Sequence, residues 1–303
     1  MSNLRIVLMN GGLGNQMYQY TFLRYLEHFT GEKCYVDDSA FCLGNRVEHN
    51  GYELEKIFGV KLNLLSRYFS EDVWNEMIKN RLNGISIPQQ MLDSGMNIFM
   101  AAEAADYSFN GNIVNFNCQY TDKGMAYALA NISGKVYYHG YFVNVGYFNT
   151  IESIIRSELV FPEIKTVEGL DSKNLLYEEL IEKNNSVGVH IRRGDFLKCG
   201  RALSLDKYAR SIEMFEQKND NLTYFIFSDD AKWCMEHESE LGLDRIKGEI
   251  CYVTENCNNG FNYVDMQLMS KCKKLIISNS SFGTWAYLLN TTPGLEVIQA
   301  DLS

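Results

Sequence analysis

The chain has 303 residues, 46% hydrophobic and 22% charged, with a formal net charge of −10 at pH 7. That size reaches the limit of about 250–300 residues at which single cores stop growing, so two domains are expected. The acidic balance excludes a general nucleic-acid or anionic-membrane surface, and no apolar run approaches the ~20 residues of a membrane span.

The apolar run Ile6–Met9 near the start is too short for a secretory signal core. Leu4–Met9 reads as a strand and Asn10–Gln16 as a glycine turn. A helix follows, carried by Met17, Tyr20, Thr21 and Leu23–Leu26 and closed by Gly31; a second strand covers Lys33–Val36. Residues 40–110 give only short helical patterns, Glu53–Phe58 and Glu71–Lys79, among Asn- and Gly-rich turns. Two short strands are expected within 112–139, the second at Lys135–His139, and a helix at Ile151–Leu159. The segment from Phe161-Pro162 to Lys173 is the best boundary. Beyond it helices Leu175–Lys183, Leu205–Lys218, Ala231–Leu241, Tyr263–Lys271 and Phe282–Asn290 alternate with strands Ser186–Ile191, Thr223–Ser228, Glu249–Thr254, Lys274–Ile277 and Glu296–Ala300. Such alternation predicts a parallel sheet covered on both faces. The expected architecture is α/β, two Rossmann-like halves facing a cleft.

Eight cysteines (Cys34, Cys42, Cys118, Cys199, Cys234, Cys251, Cys257, Cys272) are scattered without a CxxC pair, as are the five histidines. This pattern points to reduced thiols in a cytoplasmic protein rather than a zinc site. There is no Asp-x-Asp triplet either, so no metal is expected.

Three strand ends in the second half carry polar residues that a parallel sheet would bring to one edge. The first is His190-Ile191-Arg192-Arg193-Gly194-Asp195 after the apolar run Val187–Val189. Adjacent guanidiniums are costly unpaired and favourable around an anion with several oxygens, which their planar forks match bidentately. The second is Phe227-Ser228-Asp229-Asp230, and the third Ile277-Ser278-Asn279-Ser280-Ser281-Phe282. There a strand yields to a helix through small polar residues, offering N–H groups that suit a phosphate and hydroxyls that serve equally as helix caps. The turns therefore read as a diphosphate site.

Strand alternation puts His190 and Arg192 on one face and Arg193 on the other. Arg192 is thus assigned to the diphosphate, and Arg193 to Asp195 or another internal carboxylate. His190 is open to two readings, contact with a nucleobase or ribose and a core histidine with a satisfied hydrogen bond. Asp265, early in an apolar helix, matches the N1–H and N2–H donors of guanine, or complements the helix dipole. Asp195 is the candidate proton acceptor, or else a partner that orients Arg193.

The Gly11-Gly12-Leu13-Gly14-Asn15-Gln16 turn invites a dinucleotide reading, but Met17 stands where that fingerprint needs glycine. Gly12, Asn15 and Gln16 suit holding a sugar by its hydroxyls instead. Tyr141, in the aromatic stretch Tyr137–Phe148, offers a stacking platform, although most aromatics at this density are core.

Six motifs in order resemble glycosyltransferase family 11, the α-1,2-fucosyltransferases, over nearly the whole chain. They are residues 11–20, 140–148, 190–196, 227–230, 265–272 and 279–282. The resemblance implies a GT-B-like fold, with an acceptor-side domain at 1–165 and a GDP-fucose-binding domain at 166–303. It also implies inverting, metal-independent transfer of L-fucose from GDP-β-L-fucose to the 2-hydroxyl of a terminal galactose, with no cofactor. It places Arg192 at the donor diphosphate and His190 and Asp265 at the guanine. It also puts Ser280, Ser281 and Phe282 at the nucleotide; Arg193, Ser228, Asp229 and Asn279, from the same strand ends, are the remaining donor-binding candidates. Two departures bear on the acceptor. Gly283-Thr284-Trp285-Ala286 stands where the family usually has serine and two tryptophans, and Gly140-Tyr141-Phe142 replaces Gly-Tyr-Trp. Free and lipid-linked glycans both fit, the latter by peripheral access to a membrane. The rival readings are a non-catalytic nucleotide-sugar or carbohydrate-binding protein and a dinucleotide-dependent oxidoreductase.

Overall fold

A computed structural model of the chain describes residues 3–47, 49–103, 109–116, 123–257 and 259–302. Cys118 lies outside them. Two compact units emerge, Met1–Val160 and Phe161–Ser303.

The first unit carries six strands: β1 (Leu4–Leu8), β2 (Cys34–Asp37), β3 (Asn63–Leu64), β4 (Ile98–Ala102), β5 (Ile113–Asn115) and β6 (Lys135–His139). They form one parallel sheet in the order β3-β2-β1-β6-β4-β5. Helix α1 (Leu13–Thr30) packs its apolar stripe on the sheet and ends where Gly31, at φ +67°, returns its N–H to the Glu27 carbonyl. The region 40–110 holds more structure than its sequence pattern indicates. Helices Glu71–Leu82 and Ile87–Asp93 and the short strands β3 and β4 lie within it. The strand Ile-Phe-Met-Ala-Ala of β4 is buried and short, and such a run has no period that separates a strand from a core helix.

The second unit follows its alternation closely. Helix α2 (Lys173–Lys183) leads to β7 (Asn185–Ile191), and α3 (Gly194–Lys198) and α4 (Leu205–Glu216) lead to β8 (Leu222–Ser228). Helix α5 (Ala231–Glu236) precedes β9 (Glu249–Val253), α6 (Asn262–Met269) precedes β10 (Lys274–Ile277), and α7 (Ser281–Leu289) precedes β11 (Glu296–Gln299). The helix expected over Ala231–Leu241 breaks at His237, and a second piece covers Glu238–Leu241. The sheet is parallel, ordered β11-β10-β7-β8-β9. Val187, Val189 and Ile191 of β7 pack with Tyr208, Ile212 and Phe215 of α4, while His190 faces the opposite layer.

In both sheets the direction in which strands are added reverses beside the first strand. The reversal lies between β1 and β6 in one unit and between β7 and β10 in the other. Helices diverge to opposite faces at such a point and open a crevice beyond the carboxyl ends of the two strands, where α/β sheets bind ligands.

Candidate active site

In the second unit the reversal lies between the ends of β7 and β10. Val189 pairs with Ile276, so Arg192 and Asn279 stand equally far beyond that pair on neighbouring strands. On the other side of β7, Ile191 pairs with Ser228. The three polar strand ends therefore occupy adjacent positions on one sheet edge.

The exit from β7 is held by the exit from β8. Asp229 Oδ1 accepts the Arg193 backbone N–H (2.9 Å), and its Oδ2 lies 3.3 Å from Arg192 Nη1. A Cβ on Gly194 would come within 2.5 Å of that same carboxylate, so glycine is what lets Asp229 sit there. Arg192 Nη2 also meets Asp195 Oδ1 at 2.7 Å, and its guanidinium lies 5.6 Å over the Phe196 ring. Arg193 stacks on Trp233 at 3.1 Å instead of pairing with Asp195. This corrects the expected pairing. The two-residue alternation stops at Ile191, and Arg193 is already the N-cap of α3 (φ −127°, ψ −71°), which turns the two side chains by another rule. Two guanidiniums and two carboxylates cancel in charge, yet the Nε–H of both arginines is buried without an acceptor. Neither is saturated by its protein partners.

Ser228 is buried; its hydroxyl accepts the Asp230 N–H (3.0 Å) and its carbonyl accepts the Cys257 thiol (3.2 Å). At β10, Ser280 caps α7 by accepting the Phe282 N–H at 3.3 Å. Asn279 is exposed and donates to the Arg201 carbonyl, while Ser281 and Phe282 are half-buried on the first turn. Of the N–H groups at this turn, that of Phe282 is thus already engaged by the cap.

His190 is buried, hydrogen-bonded to Ser278 (Nδ1 to Oγ, 2.9 Å) and stacked on Phe282 (centroids 5.4 Å apart). Burial, with the Arg192 charge adding to it, pulls its pKa down to about 3. It is therefore neutral near pH 7 and withholds stability as the pH falls below about 6.5, where the unfolded chain takes up a proton. This is the environment of the second reading, a core histidine with its hydrogen bond met.

Gly283 lies directly against this ring. A Cβ there would approach His190 Nδ1 to 2.8 Å and Ile277 Cβ to 3.3 Å. In an open helix Gly→Ala gains about 0.8–1 kcal/mol, whereas overpacking a closed site costs about 1–3 kcal/mol. Ser278 and Phe282 bracket His190, so it has no room to retreat. Gly283→Ala is expected to lower the melting temperature by thermal denaturation, and a rise would refute this packing.

Asp265 is buried in α6, and its Oδ1 accepts from Asn256 Nδ2 (2.7 Å). Asn256 in turn exchanges amide hydrogen bonds with Asn174. Burial raises the Asp265 carboxyl to about 7, opposed by the Asn256 hydrogen bond and reinforced by Glu255. Cys257 lies within reach of the Asp265 and Asp229 charges, and burial with those carboxylates pushes its thiol up to about 11. Ser278, Asn256, Cys257 and Trp233 all help to build this edge. Sequence reasoning holds Ser278 within the third motif without a role of its own and passes over the other three as site residues, because neighbours brought together by the sheet leave no local pattern.

The first unit places its candidates at the reversal between β1 and β6. Gly12 is the N-cap of α1, with the His49 ring 3.3 Å from where a Cβ would stand. Asn15 and the Tyr141 ring close around Gly11, at 2.8 and 3.5 Å from its would-be Cβ. Tyr141 is 45% exposed, whereas Tyr137, Tyr138, Phe142, Tyr147 and Phe148 are core. Gln16 does not join them. It is fully buried, donates to the Gly11 and Gly51 carbonyls (2.9 and 2.7 Å) and accepts the Glu53 N–H (3.0 Å). Its position inside the first turn of α1 directs it under the loop, so it braces the turn. Burial raises the carboxyl of Glu53 beside it, opposed by the Asn50 side chain, by Lys56 and by the Leu13 N–H. The helix terminus that a dinucleotide fold offers to pyrophosphate thus already faces an internal carboxyl group.

Among the described residues no group of three or more His, Cys, Asp or Glu side chains is arranged to hold a metal ion. No helix among them is long and apolar enough to cross a membrane.

Residues 107–303 match the family model for glycosyl transferase family 11. An α-1,2-colitosyltransferase of Escherichia coli is 28% identical over 96% of this chain and 90% of its own length. The O-antigen biosynthesis glycosyltransferase WbnK of Escherichia coli is 28% identical over 93% and 89%. Galactoside α-(1,2)-fucosyltransferase 1 of Mus musculus is 26% identical over 36% of this chain and 29% of its own. Among solved structures, NodZ α-1,6-fucosyltransferase soaked with GDP-fucose superposes with a TM-score of 0.52 at 15% identity, covering 94% of this chain and 92% of its own. Arabidopsis thaliana FUT1, as a mutant in complex with GDP, gives 0.54 at 13% identity, over 98% and 70%. The two parallel α/β units are of the same GT-B-like fold class as these neighbours.

Proposed function

We propose, from the premise that this chain belongs to glycosyl transferase family 11 and is a glycosyltransferase, that it carries L-fucose from GDP-β-L-fucose to the 2-hydroxyl of a terminal galactose. The observation that carries this reading is the adjacency of the Arg192 and Ser280–Phe282 exits across the β7–β10 reversal. A departing diphosphate placed there meets a guanidinium fork from one strand and a helix N-terminus from the next. The colitosyl- and fucosyltransferase relatives and the nucleotide-bound structural neighbours support the same donor chemistry.

In this scheme the donor's β-linked sugar is displaced once, in line, by the acceptor hydroxyl, and the product is α-linked. Positive charge develops on the sugar ring and negative charge on the diphosphate. Arg192 neutralises the latter without a metal, and Asp229 acts through it by fixing the fork. Asp195 is assigned to orienting Arg192, which its ion pair supports. Asp265 receives the guanine donors, His190 and Phe282 wall the nucleotide, and Gly12, Asn15 and Tyr141 face the acceptor, with Gln16 bracing their turn. The free thiols of the seven described cysteines support a cytoplasmic setting.

The test is a glycan array of lactose-type, lacto-N-biose-type and galactosyl-N-acetylgalactosamine termini with GDP-fucose, and in parallel the same donor lacking the sugar 3-hydroxyl. An α-1,2-linked product with stoichiometric GDP is expected. Binding of GDP with no transfer to any terminus would favour a non-catalytic carbohydrate-binding protein. Stabilisation of the fold by NAD and not by GDP would favour an oxidoreductase.

A further inference from the structure

We infer that Glu103 is the group that takes the proton of the acceptor hydroxyl, an assignment that rests on the transferase reading and on the first unit as its acceptor side. Glu103 follows the last residue of β4, and its N–H donates to the His139 carbonyl (2.8 Å), carrying the β4–β6 ladder one step past the strand end. Its Oε2 accepts two backbone hydrogen bonds, from Tyr141 (2.8 Å) and Phe142 (2.9 Å). Gly140 permits this, because a Cβ there would stand 2.6 Å from both Cβ and Oε2 of Glu103.

The turn so clamped is strained and over-determined. Phe142 has φ +54°, a left-handed conformation that costs a bulky residue on the order of 1–3 kcal/mol. It is kept there by full burial and by stacking on Phe22 at 3.9 Å. Strain held in place by this much surrounding structure marks a geometry that has to be reproduced closely. What it fixes is the exposed Tyr141 ring beside Gly11 and Asn15, together with the Glu103 carboxylate.

The other carboxylates at the two edges are either engaged or, like Glu53 Oε2 and Asp301 Oδ1, sealed in the interior away from an acceptor. Asp37 accepts from Ser39 and Tyr137, Asp38 from Ser66, and Glu53 is buried under α1. Asp195 and Asp229 hold Arg192, Asp230 caps α5, and Asp265 is bound to Asn256. Glu103 is half-buried and spends only Oε2, and its Oε1 has no hydrogen-bond partner among the described residues. In the reaction the acceptor oxygen bonds to C1 of the donor sugar as the C1–O bond to diphosphate breaks, its electron pair leaving on the diphosphate. The hydroxyl proton passes to Oε1, turning the carboxylate into a carboxylic acid that returns the proton to solvent after release.

Glu103→Gln separates chemistry from architecture. The amide oxygen accepts the same two N–H groups, and an NH2 replaces Oε1, so the turn survives while the proton acceptor is lost. The expected result is an unchanged melting temperature and GDP affinity, little change in acceptor KM, and a kcat lower by about 10²–10⁴-fold. Added formate is expected to restore part of the kcat of Glu103→Ala, which a purely structural role would not allow. Wild-type kcat in Glu103→Gln overturns the assignment alone. Absence of transfer by the unsubstituted chain overturns the transferase reading and this assignment with it. If Glu103→Gln does not fold, Glu103→Asp decides: residual turnover with an altered pH profile supports the assignment, and turnover equal to wild type defeats it.

Discussion

Arg192→Ala is expected to lower turnover at least about a hundredfold, the loss typical of removing one donor that meets charge developing in the transition state, about 2.7–4 kcal/mol. The effect is large because of how the guanidinium is held. Asp195 and Asp229 grip two of its nitrogens at 2.7 and 3.3 Å and Phe196 lies beneath it, so the fork is oriented before the reaction begins. Its removal also leaves two carboxylates unpaired next to the diphosphate, which adds repulsion to the lost attraction. Arg192→Lys is expected to recover only part of the rate, since a point charge cannot reproduce two parallel hydrogen bonds. Arg193→Ala is expected to cost less, because that guanidinium is stacked on Trp233. Steady-state kinetics with GDP release as readout, beside a melting curve to confirm folding, decides the matter. Near-normal turnover in Arg192→Ala would remove this residue from the diphosphate.

The second large effect is expected at Asp265, and it depends on pH. Its carboxyl is raised from 3.8 to about 7 by burial. Between those values the folded chain keeps a proton that the unfolded chain has lost, so this group's contribution to stability falls as pH rises from about 4 to 7. Above 7 the buried charge is a net cost. Asp265→Asn keeps an acceptor for Asn256 and removes that charge, so its melting temperature is expected to exceed that of the parent at pH 8 and to match it near pH 4. Under the proposed function guanine, by contrast, donates N1–H and N2–H to the ionised form. GDP affinity is therefore expected to tighten from pH 6 to pH 8 in the parent. In Asp265→Asn it is expected to weaken by roughly tenfold to a hundredfold and to lose that pH dependence, the scale of one hydrogen bond to a charged group, about 1.5–3 kcal/mol. Calorimetry at the two pH values measures both. A GDP affinity that is flat with pH and equal in the two proteins would place guanine elsewhere.

Much of this was legible before folding. From Lys173 onward, strands and helices follow the hydrophobic pattern to within a few residues, because each strand of a buried parallel sheet is a short apolar run bounded by turn residues. The motifs at 190–195, 227–230 and 277–282 mark the ends of three of those runs, and parallel strands necessarily bring such ends to one edge. Legibility fails where local rules meet a change of conformation. The alternation that pairs His190 with Arg192 stops at Ile191, so the structure gives Asp195 to Arg192 and Trp233 to Arg193. Gln16 looks in sequence like a surface amide and is a buried brace.

The sequence by itself determined the fold class, the order of elements in the second unit and the residue types that the proposed function assigns to phosphate and guanine. These depend on periodicity and on side-chain chemistry, which are local properties. Only the tertiary structure decided which strands are neighbours, and so that the reversals fall between β7 and β10 and between β1 and β6. It alone brought Glu103 to the backbone of Tyr141 and Phe142, and Asn256 to Asp265. Contacts of that kind are fixed by strand pairing and by burial of groups far apart in the chain or set in loops, and no window of sequence records them.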